Sequence, residues 1–189
     1  MNAILLAALF SYGVPRMVTM RSNELPQHWI VSLREIGWRK ANMELFTDPV
    51  MDLVAPNFGA QMNLGSFFVA GRAWIFKGGW TIRLFRPDIE HAEFRDASGF
   101  NLTLGYTYSL IRFNYQFLMA GHDLHNSLMI GASPISFLET EIGYDLNAAA
   151  VRGGLALKFR KDAMFLKLGV AVPGPGIAVV PIIDFGASW

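Results

Sequence analysis

The chain contains no cysteine. That excludes disulfide scaffolds, thiolate metal sites and cysteine nucleophiles, and it suits export through an oxidising compartment. Charge is scarce: 16% of the residues are charged and 52% are hydrophobic. Soluble domains carry about 25% charged residues, so part of this surface is expected to meet a solvent other than water. The net charge of +1 is too small to recruit nucleic acid. No glycine-rich phosphate loop, zinc spacing or basic aromatic array is present, so neither cofactor nor metal is expected. A membrane helix needs roughly 20 mostly apolar residues, and no such run occurs. The nearest, "LGVAVPGPGIAVVPII" at 168–183, carries three prolines that bar a regular helix.

What is present is a period of two. In "NLTLGYTYSLIRFNYQFLM" (101–119), Leu102, Leu104, Tyr106 and Tyr108 share one face, and Asn101, Thr103, Gly105 and Thr107 share the other. After Ser109-Leu110 the parity shifts: Ile111, Phe113, Tyr115, Phe117 and Met119 alternate with Arg112, Asn114 and Gln116. A two-residue hairpin loop would pair 108 with 111, 106 with 113, 104 with 115 and 102 with 117. Directly opposite side chains share a face, so the parity slip is what a tight hairpin requires. Ser-Leu is not a favoured turn pair.

The grammar repeats. Phe67, Val69, Ala73 and Ile75 oppose Arg72. Trp80, Ile82 and Leu84 oppose Thr81 and Arg83. Ile142, Tyr144 and Leu146 oppose Glu139, Glu141 and Asp145. Val151, Leu155, Leu157 and Phe159 oppose Arg152 and Lys158. Met164, Leu166, Leu168 and Val170 oppose Lys167, and Ile183 and Phe185 oppose Asp184. Turn signals separate these runs, which is the all-β meander pattern. Residues 27–46 fit a strand or an amphipathic helix equally well.

A soluble sheet turns its apolar face inward. Here the apolar faces are too aromatic to converge in one small interior, and the polar faces are rich in Gly, Ala, Thr, Asn and Ser. Turned inside out, the pattern fits a lipid-facing apolar band around a small polar lumen, in a sheet that must close to satisfy its backbone. The expected fold is a closed antiparallel up-and-down transmembrane β-barrel of eight to ten strands. Ten are slightly preferred: 28–40, 62–76, 80–86, 100–108, 111–120, 127–132, 136–146, 149–159, 163–172 and 176–189. Merging 127–146 and dropping 28–40 gives eight. In the ten-strand reading the short links 77–79, 109–110, 133–135 and 160–162 fall on one side, and 41–61, 87–99 and 121–126 on the other. Residues 1–20 look like the apolar region of a secretory signal, with a first strand or buried segment as the alternative. Residues 21–189 then form the single barrel domain.

Over roughly 62–189 the chain resembles the small outer-membrane β-barrel proteins of Gram-negative-type bacteria. The most specific element is the alternation Ile183, Phe185, Ala187 ahead of a terminal Trp189. The resemblance implies a bacterial outer-membrane location, contact with outer-membrane lipid including lipopolysaccharide, and reading of Ile183, Phe185 and Trp189 by the barrel assembly machinery.

On this reading Leu102, Leu104, Tyr106, Tyr108, Ile111, Phe113, Tyr115 and Phe117 face lipid. Arg72, Arg83, Arg112, Glu139, Glu141, Asp145, Arg152, Lys158, Lys167 and Asp184 form a lumen charge network. Unpaired charge inside a narrow barrel is costly, so a mutually neutralising plug is favoured over an ion-selective pore. "GHDLHNS" (121–127) gathers His122, Asp123, His125 and Ser127. These could serve a lipid-modifying hydrolase, but sequence neighbours are not a triad in space, and exposed loop residues are the plainer reading. The charged stretch 86–99 reads as a solvated outside loop that could also meet lipopolysaccharide, a phage or a host molecule. The favoured role is structural or adhesive, a barrel presenting surface loops. A narrow channel, a lipid-A-modifying hydrolase and a soluble lipocalin-like barrel are the alternatives, and nothing in the sequence sets the oligomeric state.

Overall fold

A computed structural model describes residues 28–33, 35–52, 55–75, 98–120, 123–172 and 179–189. They form twelve strands: β1 (His28–Ser32), β2 (Ile36–Lys40), β3 (Met43–Thr47), β4 (Asn57–Leu64), β5 (Phe67–Trp74), β6 (Gly99–Tyr108), β7 (Ile111–Ala120), β8 (Asp123–Ile135), β9 (Leu138–Asp145), β10 (Ala150–Lys161), β11 (Met164–Val172) and β12 (Val180–Ser188). One helical turn, α1 (Pro49–Asp52), lies between β3 and β4. Each strand pairs antiparallel with the next, and β12 closes on β1. No helix among the described residues is long and apolar enough to cross a membrane, which says nothing of a barrel.

The wall is uneven in height. Strands β1 to β3 have five residues each, whereas β6 and β7 have ten and β8 has thirteen. Five hairpins, β2–β3, β4–β5, β6–β7, β8–β9 and β10–β11, turn over two residues each on one side of the barrel. Positive φ at Ala41 (50°), Gly65 (65°), Ser109 (52°) and Asp162 (53°) gives four of these turns the left-handed conformation that tight hairpins need. On the other side more residues separate consecutive strands in most cases, nine between β3 and β4 and four between β9 and β10.

The polarity is inverted relative to a soluble barrel. Phe113 is 48% exposed on the outside, while its neighbour Arg112 is 5% exposed inside. The same alternation runs through the sheet: Leu104, Tyr108, Leu128, Ile142, Leu155 and Val170 point out, and Asn101, Asn114, Gln116, Glu141 and Arg152 point in. Inward rings are seated on glycines of the next strand. Phe46 lies on Gly59 and Phe68 on Gly105, and a Cβ at either glycine would overlap the ring.

The strand count corrects the expectation of eight to ten. The expected strand 28–40 is two strands, β1 and β2, which pair antiparallel with each other. The expected loop 41–61 holds β3 and the first five residues of β4, because β2 returns through an Ala41-Asn42 turn that lacks glycine and proline. The expected strand 62–76 turns at Gly65-Ser66. The expected turn at 133–135 is strand: Pro134 sits at a bulge between Ala132 and Ile135, where a missing N–H is tolerated, and the chain turns at 136–137 instead. That turn also separates β8 from β9, so merging 127–146 into one strand fails. The expected turn 160–162 lies at 162–163. Segments 1–20, 77–79 and 80–86 lie outside the described residues.

Candidate functional site in the barrel lumen

The lumen is built by inward positions of alternating strands, and its side chains pair along the wall. Arg39 and Glu44 stand directly opposite across the β2–β3 hairpin, and Arg39 Nη2 donates to Glu44 Oε2 at 2.6 Å. Other partners sit two strands apart. Arg112 on β7 reaches Glu141 on β9, Nη2 to Oε2 at 3.2 Å, over Gly131 of β8. A Cβ at Gly131 would lie 3.4 Å from Arg112 Nη2, so the guanidinium rests on that bare backbone. Arg72 on β5 spans Gly59 of β4 to stack on Phe46 of β3, 5.1 Å from the ring centroid. Lys167 on β11 crosses β10 beside Ala156 to bind Glu139 on β9 at 2.8 Å. Arg152 on β10 crosses β9 beside Gly143 and donates from Nη1 to Ser127 Oγ at 2.8 Å. Small residues on the strand between let each cation lie flat enough to reach a partner that adjacent-strand pairing would not offer.

A second cluster marks the side of the long links. Asp145 ends β9; its Oδ1 accepts the N–H groups of Asn147 (3.0 Å) and Ala148 (2.9 Å), and its Oδ2 lies 3.1 Å from His125 Nδ1. Arg152 Nη1 stands 4.0 Å from the same Oδ2. On the outer face Tyr115 donates its hydroxyl to Asn126 Oδ1 (2.7 Å), and the Asn126 N–H donates to Asn147 Oδ1 (2.7 Å). Near α1, Asp52 accepts from the Thr47 hydroxyl and from both the N–H and side-chain amide of Asn57.

The sequence-derived residues are distributed as follows. Arg72, Arg112, Glu139, Glu141, Asp145 and Arg152 are buried on the inside, and Lys158, Lys167 and Asp184 are half-buried there. Arg83 and His122 lie outside the described residues. Leu102, Leu104, Tyr106, Tyr108, Ile111, Phe113 and Tyr115 are exposed outside, and Phe117 is half-exposed. Ile183, Phe185 and Trp189 are exposed, and Trp189 exchanges backbone hydrogen bonds with Trp29 at 2.7 and 3.1 Å. The loop reading of 121–127 is corrected: residues 123–127 begin β8. Asp123 is its first residue, and His125 and Ser127 share its inward face. Ser127 is only 1% exposed, and its oxygen accepts from Arg152; His125 is engaged by Asp145, not by Ser127.

Sequence reasoning missed the Arg39–Glu44 pair and the inward placement of His125 and Ser127. The first was legible as opposite charges two residues out from Ala41-Asn42, had that dipeptide been read as a turn. No group of three or more His, Asp or Glu among the described residues could hold a metal ion. No protein-family model matches the chain, and no curated protein or solved structure is significantly similar to it.

Proposed function

We propose that the protein is an integral outer-membrane β-barrel with an occluded polar lumen, whose role is to hold surface loops in place. The observation that carries this is the reversed polarity of a closed twelve-strand wall: exposed Leu104, Phe113, Leu128 and Ile142 outside, buried Arg112, Glu141 and Arg152 inside. In water that exterior is an aggregation surface far larger than a soluble monomer carries. In lipid it is the favourable face, and closure leaves few backbone groups unpaired.

Aromatic residues gather toward both rims, as interfacial girdles do. Phe67 and Tyr106, paired with ring centroids 4.8 Å apart, lie with Tyr108 toward the two-residue turns, and Phe58 and Phe100 lie at the other end. Short turns on one side and longer links on the other match the periplasmic and extracellular faces of bacterial barrels. Outer-membrane lipid and the barrel assembly machinery are the partners this reading implies.

Twelve strands enclose a wider lumen than the eight that side chains alone can fill. The burial of Arg112, Asn114, Glu141 and Arg152 nonetheless favours occlusion over conduction. The hydrolase reading is disfavoured because Ser127 faces the lumen, where a lipid does not reach it.

The test is gel mobility of detergent-extracted protein, boiled against unboiled. A closed membrane barrel is expected to migrate differently until heated. Identical mobility, together with solubility in the absence of detergent, would turn the reading toward a soluble barrel.

A further inference from the structure

On β2–β3 and β7–β10 the inward cations Arg39, Arg112 and Arg152 are buried against named partners. The turn-side half of β10–β12 differs. Its inward residues Lys158, Phe165, Lys167, Asp184 and Ser188 stay partly accessible, the Lys167 side chain at 20%. Lys158 and Lys167 stand directly opposite each other on the β10–β11 ladder. Like charges in that relation destabilise a sheet.

Lys167 is compensated twice, by Glu139 at 2.8 Å and by Asp184 directly opposite on β12. Asp184 Oδ2 also accepts from Ser32 Oγ at 3.3 Å. Lys158 makes no hydrogen bond or ion pair among the described residues; its ammonium stands 5.2 Å from the centre of the Phe165 ring. Two residues nearer the rim, Arg160 is exposed and donates from Nη2 to Ser188 Oγ at 3.2 Å. Three cations and a hydroxyl thus share one wall with two carboxylates, which flank Lys167 and attract Lys158 from farther off, without an ion pair to it.

We propose that Lys158 is the principal ligand of an anion site at the turn-side mouth of the lumen, with Lys167 and Arg160 beside it, and that it takes a phosphate group. A phosphate between Lys158 and Lys167 converts a repulsive pair into two charge-assisted contacts. Ammonium groups bind phosphate as point charges and need no fork geometry. The phosphate can belong to a small solute entering the lumen or to a lipid headgroup at the rim.

The experiment is thermal unfolding of the detergent-folded protein, titrated with inorganic phosphate against chloride at matched ionic strength, and separately with phosphatidylglycerol in the micelle. A rise in the unfolding midpoint that disappears in Lys158→Gln and persists in Lys158→Arg and in the rim variant Lys161→Gln supports the site. A response to inorganic phosphate assigns a soluble ligand; a response to phosphatidylglycerol alone assigns a headgroup. No anion response, or an equal response in Lys158→Gln, overturns the proposal. So does a Lys158→Gln variant that is simply more stable at every phosphate concentration, because that is the signature of a relieved repulsion. Heat-dependent gel mobility of each variant reports separately on the barrel, so failure of the anion site and failure of the membrane reading are distinguishable.

Discussion

Arg112 and Glu141 form a buried ion pair although a whole strand separates them, because the residue beneath their contact is Gly131. The pair therefore depends on three strands at once, and each of the three residues can be tested.

Removing one partner leaves the other charged and buried, which costs about 3–5 kcal/mol. Arg112→Met is expected to lower the urea stability of the refolded barrel by that order. Combining it with Glu141→Met should recover most of the loss. A double-mutant cycle measures the coupling; additive losses would mean that the two residues act independently.

Gly131 should tolerate alanine and reject bulk. An alanine Cβ meets Arg112 Nη2 at 3.4 Å, an ordinary contact. Gly131→Leu would lift the guanidinium away and is expected to cost about 1–3 kcal/mol, the usual range for overpacking. At Gly105 even alanine overlaps the Phe68 ring, so Gly105→Ala should cost more than Gly131→Ala. Phe68→Leu in the same chain should relieve it. Equal effects of alanine at the two glycines would contradict this seating.

The exterior should report depth. Leu104 lies midway along β6 and Tyr108 at its turn end. Leu104→Arg is expected to cost about 2–4 kcal/mol in lipid, and Tyr108→Arg about 0–1 kcal/mol. Refolding both variants into vesicles and measuring urea midpoints gives the comparison. A flat profile would argue against a bilayer around this wall.

Ser127 should matter to folding and not to lipid chemistry. Ser127→Ala removes one acceptor of Arg152 Nη1, beside which Asp145 Oδ2 remains at 4.0 Å, and is expected to cost about 1 kcal/mol, as for one lost buried hydrogen bond. Mass spectra of lipid A from cells expressing wild type, Ser127→Ala or His125→Ala should coincide. A species present only with the wild type would restore the hydrolase reading.

The legible parts of the fold were those where alternation runs long. The hairpin at 101–119 pairs Tyr108 with Ile111, Tyr106 with Phe113, Leu104 with Tyr115 and Leu102 with Phe117, as parity alone requires. Among the described residues, the inward placement of Arg72, Arg112, Glu139, Glu141, Asp145, Arg152 and Lys167 follows the same alternation. Strands β1 to β3 were not, because five residues give too few alternations to outweigh a helical reading of 27–46, and Ala41-Asn42 lacks the residues that mark a turn. His125 and Ser127 were misplaced because polar residues beside Gly121 look like a loop, although an inward-facing strand in this barrel is polar as well. The pairs that skip a strand were beyond the sequence. They depend on which residue lies opposite which on two successive ladders, and that register exists only once the sheet is formed.

The two-residue turns also prescribe an order of assembly. Five hairpins can close between chain neighbours, at little entropic cost and with no need of the rest of the sheet. The seam is different: it brings Ile30 to Ser188, through three ladder pairs, the Trp29–Trp189 backbone exchange and a hydrogen bond from the Leu33 N–H to Phe185 O at 3.0 Å. The last event in making the cylinder is then expected to be the joining of the two edges most distant in sequence. Until it happens, the molecule is a curled ribbon with a raw margin at each end.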